Sequence, residues 1–255
     1  MTLALTFPLV SELVEWKPFL FKGTPFEVNK VVVLMWISAA LVFLVFWVAG
    51  RQSKKSLVPA GVQNVVEAGV EFVRTDVILQ TIGPEGLGFM PFLVTIFFFV
   101  FACNIFEVIP FVQMPVTARM AVPAFLAIVV WVIFNFVGIK NQGFGGYFKS
   151  MLIPPGVPKA LLPLVALIEF VSTIFVRPFS LAVRLFANML AGHLLLVSFA
   201  VLSAALFSST YIGAVVPAGF LVALIGFELL VSVLQAFIFT ILTAVYIGGA
   251  MHPEH

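Results

Sequence analysis

The chain has 255 residues, of which 62% are hydrophobic and only 9% charged. A soluble domain carries about 25% charged residues, so this composition excludes an ordinary water-soluble enzyme and indicates a membrane protein. The net charge of +2 is too small to argue for a nucleic-acid partner, and the lone Cys103 leaves no intrachain disulfide and no cysteine-based metal site.

Residues 1–30 form an N-terminal segment whose first charges are Glu12 and Glu15. A secretory signal instead places basic residues before its apolar core, and a transit peptide is Arg-rich and poor in acids. The first apolar helix is therefore expected to act as its own insertion signal. That span is 31–50, uncharged, with Trp36 and Trp47 toward its ends and Arg51, Lys54 and Lys55 after it. Over 62–80 an amphipathic surface helix is predicted. Val62, Val65, Val66, Gly69, Val70, Val73 and Val77 take one face; Gln63, Asn64, Glu67, Glu71 and Arg74 take the other. Residues 87–139 hold the second and third spans, Leu87–Phe106 and Met120–Ile139, followed by a Gly/Pro-rich loop from Asn141 to Lys159.

The stretch 161–250 is apolar almost throughout. Leu161–Phe207 as one helix would be about 70 Å long against a bilayer core of about 30 Å. It is either two spans with a turn near Gly192, or one steeply tilted helix kinked at Pro178. Paired with Ala218–Ala250 it would form a tilted hairpin turning around Ser208 to Pro217. The expected fold is thus all-α and polytopic, with about five crossings plus the surface helix. With the N-terminus outside, Arg51, Lys54, Lys55, Arg74, Lys140, Lys149 and Lys159 fall inside, against Lys17, Lys22, Lys30 and Arg119 outside. That bias favours a cytoplasmic C-terminus and an odd number of crossings.

Between Leu161 and Ala250 the ionisable Asp, Glu, Lys, Arg and His residues are Glu169, Arg177, Arg184, His193 and Glu228. A charge near the bilayer centre costs roughly 2.5–3.5 kcal/mol on insertion scales, so such residues mark ion paths or counter-ions. Arginine keeps its proton at any working pH, which makes Arg184 a fixed charge and not a relay. Arg177 and Arg184, seven apart, share a helix face, with Glu169 roughly 60–80° round and Asn188 one turn beyond Arg184. Glu228 and Gln235 share a face of the last helix. In a hairpin turning near residue 212, position 193 lies opposite about 231, which lets Glu228 approach His193 as a proton-relay pair. Plainer roles exist for several of these. His193, Asn104, Glu107, Asn188 and Gln235 could be hydrogen-bonding glue between helices, and Glu169 with Arg177 a snorkelling charge cluster. His252 and His255 lie on a polar tail and are read as solvated, not as a metal site.

The run Arg177-Pro-Phe-Ser180-Leu-Ala-Val-Arg184-Leu-Phe-Ala-Asn188-Met-Leu-Ala-Gly-His193 resembles the signature of the a subunits of F-type ATP synthases. The stretch from Glu228 through Gln235 to Tyr246 is similar to that family's last helix, and Asn104-Ile-Phe-Glu107 to its earlier polar motif. The resemblance implies a stator subunit of the Fo sector with two proton half-channels and an essential arginine. Arg184 would face the rotor carboxylate. His193 and Glu228 would be the paired groups of the outer half-channel, supported by Asn104, Glu107 and Gln235. Glu169, Ser180 and Tyr246 would lie toward the inner half-channel, with Asn188 also on the path. Some bacterial members carry the acid at the position of His193 and the imidazole on the last helix, the reverse of the order here. Glu169 stands one residue further from Arg177 than the family's acid usually does, and Thr117–Pro123 departs from a more polar stretch.

The implied partners are the c-ring rotor, the b subunits of the peripheral stalk, the remaining F1Fo subunits and membrane lipid, with no cofactor. The chain has no G-x-x-x-x-G-K-[ST] loop, so nucleotide chemistry falls to partner subunits. The titratable His193–Glu228 pair favours H⁺ over Na⁺ as the ion, and the lack of a transit pattern favours a bacterial plasma membrane. The rival readings are a proton-coupled secondary transporter in which Arg184 binds an anion at the midplane, and a non-conducting anchor.

Overall fold

The computed structural model describes residues 18, 20, 21, 23, 27–54, 61–109, 112, 114–153, 157–158, 161–209 and 211–251. Glu12, Glu15, Lys17, Lys22, Lys55, Lys159, His252 and His255 lie outside the described residues, as does most of 1–30. Among the described residues five helical stretches are long and apolar enough to cross a membrane: Lys30–Ser53, Pro84–Ile105, Ala121–Leu152, Leu162–Phe207 and Gly213–Met251. The protein is an all-α, multi-pass membrane protein. Its helices feed two compact units, one from 1–43, 99–119 and 185–236, the other from 44–98, 120–184 and 237–255.

Helix α1 (Lys30–Ser53) starts where Asn29 accepts a bond from the Val32 N–H through its Oδ1, 3.1 Å away, a side-chain cap for an orphan donor. Trp36, Leu41, Phe43, Leu44 and Trp47 are exposed, as lipid-facing residues should be. In the last turn the Arg51 guanidinium lies 3.7 Å from the Trp47 ring centre, a cation–π pair suited to a membrane interface.

Helix α2 (Val62–Phe72) runs on through a π-helical stretch, Val73–Ile78, and a last turn, Leu79–Thr81. The expected two-faced division holds only for its second half. Val66, Val73 and Val77 are buried, but Val62 and Val65 are exposed and Gln63 is buried. Gln63 tolerates burial because its Nε2 donates to Glu67 Oε1 at 2.7 Å. A π turn carries one extra residue, so the face set before Val73 is not the face continued after it. Gly69 lets the Phe98 ring sit against the helix, where a Cβ would come within 2.5 Å of it. Phe72 packs between Phe97 and Phe237, ring centres 5.9 and 5.5 Å away.

A 3₁₀ turn, Pro84–Phe89, leads into α3 (Met90–Ile105). Helix α4 (Ala121–Leu152) extends well past the predicted end at Ile139, so most of the expected Gly/Pro-rich loop is helical. The chain breaks only at Gly143, whose φ of 73° suits glycine and few other residues. The returning segment is held by tertiary contacts that composition does not display. Tyr147 is buried against Gly138, so closely that a side chain at 138 would strike its ring, and its hydroxyl donates to Asn135 Oδ1 at 2.9 Å. Ser150 donates to Gln142 Oε1 at 2.6 Å, and Gln142 Nε2 donates to the Ala250 carbonyl at 3.0 Å.

Helix α5 (Leu162–Val171), a π-helical stretch (Ser172–Val176) and α6 (Arg177–Ser209) form one unbroken helical run. The alternative with a turn at Gly192 is therefore wrong. The irregularity lies just before Pro178, which lacks an N–H and crowds the carbonyl four residues back. The π stretch absorbs this: the Arg177 N–H reaches the Ser172 carbonyl, five residues back. Helix α6 runs to Ser209 and α7 (Tyr211–Met251) contains Pro217, so most of the stretch Ser208 to Pro217, predicted to hold the turn, is helical. In the first unit the two arms of the hairpin meet where Phe199 stacks on Phe220 at 5.7 Å and Ser203 donates to the Ala214 carbonyl at 3.3 Å.

Gly138→Val should loosen the docking of 144–152 by about 1–3 kcal/mol, the usual cost of overpacking. Faster tryptic cleavage after Lys149 in the purified protein is the expected result, and an unchanged rate would mean that the Tyr147 contact does not hold the segment.

Candidate functional site

The first unit gathers polar side chains inside apolar helices. Asn104 closes the end of α3 and Glu107 follows in the turn after it, its N–H bonded to the Asn104 carbonyl at 3.1 Å. Helix α6 contributes His193; α7 contributes Glu228, Ser232 and Gln235. All are buried, with Glu107, Glu228 and His193 only 1%, 2% and 8% exposed. The His193 Nδ1 is 3.9 Å from Glu107 Oε1, an ion-pair approach only when the imidazole is protonated. Glu228 does not take that place. Its carboxyl packs on Gly192, so closely that any side chain at 192 would strike it.

Several of these groups lack protein partners. Both Glu107 oxygens, Glu228 Oε2, Ser232 Oγ and Asn104 Nδ2 are buried without a hydrogen bond. Buried polar atoms in native proteins are almost always satisfied by protein or by water. A cavity of about 270 Å³ beside Glu107 and His193, walled by Leu196, Ala200, Leu221 and Ile225, has room for several waters. Glu107 stands beyond the end of its span, and burial first, then the Glu228 carboxylate, push its pKa up to about 8. At neutral pH it therefore holds its proton.

Two residues of this cluster carry no weight in the sequence pattern. Thr117 is fully buried and donates to Asn104 Oδ1 at 2.5 Å, which fixes the amide and turns its NH₂ toward unpaired space. It lies in a short 3₁₀ turn, Val116–Ala118, within the stretch that departs from the family pattern. Lys30, read above only as an orienting charge, donates to the Val112 carbonyl at 3.2 Å and acts electrostatically on His193. Neither residue announces itself by spacing, because each acts across the fold.

The second unit holds the remaining predicted residues except Asn188, which falls in the first. Arg177 lies over the Tyr246 ring, 5.6 Å from its centre, within cation–π range. Tyr246 in turn touches Phe134, and buried Tyr147 feels the Arg177 charge. Glu169 and Ser180 are half-buried. Among the described residues the ion pairs are Arg74–Glu71 and the His193–Glu107 approach, so Glu169 and Arg177 do not pair. Arg184 is half-exposed, and among the described residues it has neither an ion pair nor a hydrogen bond through its guanidinium. One turn on, Asn188 is exposed.

Comparison with known proteins identifies the family. The family model described as ATP synthase A chain matches residues 32–248. The chain is 44% identical over 230 residues to ATP synthase subunit a of Frankia alni, covering 89% of this chain and 79% of that protein. To ATP synthase subunit a of Rhodococcus erythropolis it is 42% identical over 247 residues, covering 92% and 86%. The corresponding protein of Rhodopseudomonas palustris is 40% identical over 233 residues, covering 90% of each chain. A match that runs from the first span almost to the end of α7 takes in every helix that carries the site, and this chain belongs to the ATP synthase A chain family.

Proposed function

We propose that this chain is the stator subunit a of a rotary ATP synthase, supplying two proton half-channels and the arginine that couples proton flow to rotation of a c-ring. The observation that carries this reading is Arg184. A guanidinium in a long apolar helix, half-exposed and without a counter-charge among the described residues, is costly unless a partner supplies the anion. A rotor carboxyl group, neutral while it faces lipid, would ionise beside such a fixed cation. The same cation opposes a direct leak, since it repels a passing proton and cannot itself give one up.

The first unit's cluster serves as the outer half-channel. Water in the cavity, with Glu107, His193, Glu228 and Asn104 around it and Gln235 on the same helix as Glu228, offers a chain of groups able to take and release protons. Thr117 and Lys30 position it. In the second unit, Glu169, Ser180, Tyr246 and Arg177 serve the inner half-channel, with Asn188 beside Arg184 at the rotor face. The transmembrane potential contributes about 2.3 kcal/mol per proton per 100 mV. Nucleotide chemistry belongs to the F1 subunits, reached through the rotor and the b stalk. The location is a bacterial plasma membrane, with the N-terminus outside and the C-terminus in the cytoplasm.

Arg184→Ala should abolish ATP-driven proton pumping in inverted vesicles while the whole complex still purifies intact; pumping near the wild-type rate would remove Arg184 from the mechanism. Gly192→Val should push the Glu228 carboxyl out of place and lower pumping by about tenfold or more. Equal pumping in an assembled Gly192→Val complex would show that the position of Glu228 does not matter. For orientation, His252→Cys should react with a membrane-impermeant maleimide in inverted vesicles and not in intact cells, and the reverse pattern would overturn the assignment.

A further inference from the structure

The cavity of the first unit has a wall that a water path does not require. One end is the Glu107 carboxyl, 1% exposed, with neither oxygen hydrogen-bonded to protein. Beyond His193 the rest is apolar, from Leu196 and Ala200 on α6 to Leu221 and Ile225 on α7. Apolar walls that converge on one unpaired polar group are typical of sites for small organic ligands, where area supplies affinity and the polar group sets orientation. A buried carboxylate is best stabilised by a partner of opposite charge.

We propose that this cavity is a binding site for compact lipophilic ammonium compounds, whose ammonium donates to the Glu107 carboxylate and whose apolar body lies among Leu196, Ala200, Leu221 and Ile225. The volume of about 270 Å³ suits an amine with a small hydrocarbon cage. An occupant displaces the cavity water and ties up Glu107. The inhibition that follows rests on reading the cavity as the outer half-channel, whereas the binding itself does not.

The surrounding charges make the binding pH-dependent. Glu228 on α7 acts on Glu107 as a like charge, His193 on α6 stands 3.9 Å from it, and Lys30 at the start of α1 acts on His193. Two carboxyl groups against one lysine leave the cluster net acidic once both ionise. Below pH 8 an arriving cation has to displace the Glu107 proton, so occupancy rises with pH, roughly fivefold between pH 7 and pH 8.

The test uses the intact complex in detergent, where no proton gradient exists for a weak base to dissipate. The probe is 1-aminoadamantane, its neutral counterpart 1-adamantanol, and a diazirine derivative of the amine maps the site. The amine should inhibit coupled ATP hydrolysis at about tenfold lower concentration than the alcohol. The diazirine should label residues within 196–201 or 221–225, in competition with the amine and more strongly at pH 8 than at pH 7. Glu107→Gln should erase the advantage of the amine. Ala200→Trp, which fills the apolar end and leaves the carboxyl in place, should abolish labelling, and it serves as the test if Glu107→Gln does not assemble. Labelling elsewhere, or labelling that neither variant weakens, overturns the site. Labelling at the site without inhibition keeps the binding and counts against the half-channel reading.

Discussion

A helix bundle in lipid has no water at its flanks, so each polar atom must find a partner inside the protein or in water enclosed with it. Most of this chain meets that constraint with backbone alone. Threonine and serine side chains turn back on their own helices, as Ser38 does to Leu34, Ser198 to Leu194 and Thr243 to Phe239. Most of the exceptions cluster. Asn104, Glu107, Glu228 and Ser232 leave five buried atoms unpaired in a single unit, beside a cavity large enough for water, while Gln52, Trp131 and Thr173 leave one each in the other. Four such residues would be very costly to leave dry in one place. Their concentration beside the cavity argues for a wet interior there.

Close approach depends on residues without bulk. Gly192 admits the Glu228 carboxyl, and Gly138 admits the Tyr147 ring. In soluble helices glycine costs about 1 kcal/mol relative to alanine; in lipid, with no hydrophobic drive between helices, backbone proximity is itself a source of packing energy. The two contacts differ in kind. At Gly138 an aromatic ring gains dispersion, while at Gly192 a carboxyl group is drawn between two helices, where its second oxygen stays unpaired. The first contact holds a segment in place; the second holds a titratable group where it would not otherwise settle.

Much of the fold was legible because membrane helices must be long and apolar. The span at 31–50 and the long C-terminal runs follow from that requirement alone. Errors arose where tertiary contact overrode local composition. The glycines of 141–152 read as a loop, yet Tyr147 and Ser150 make bonds that keep the chain helical on both sides of Gly143. The valine stripe of 62–77 read as one face, yet the π turn at Val73–Ile78 rotates it. The polar residues of the first unit's cluster stand out in the sequence, but their pairing does not. Ion-pair reach from His193 goes to Glu107, which lies on neither arm of the hairpin, while the Glu228 carboxyl packs on Gly192, one residue before His193. Thr117 was invisible because a threonine thirteen residues from its partner has no periodic signature.

The two arginines of α6 show why spacing is a weaker guide than surroundings. Arg177 and Arg184 are two turns apart on one face of one helix. Arg177 has an internal solution, with the Tyr246 ring to lie over and Tyr147 close enough to feel its charge. Arg184 has none among the described residues. A guanidinium cannot neutralise itself by losing a proton, so the only ways to lower its cost are to reach water or to meet an anion. Arg177 can lose its outside contacts and remain partly stabilised by the aromatic ring. Arg184 has no counter-charge among the described residues, so an anion that reached its guanidinium would offset more of its cost there than at Arg177.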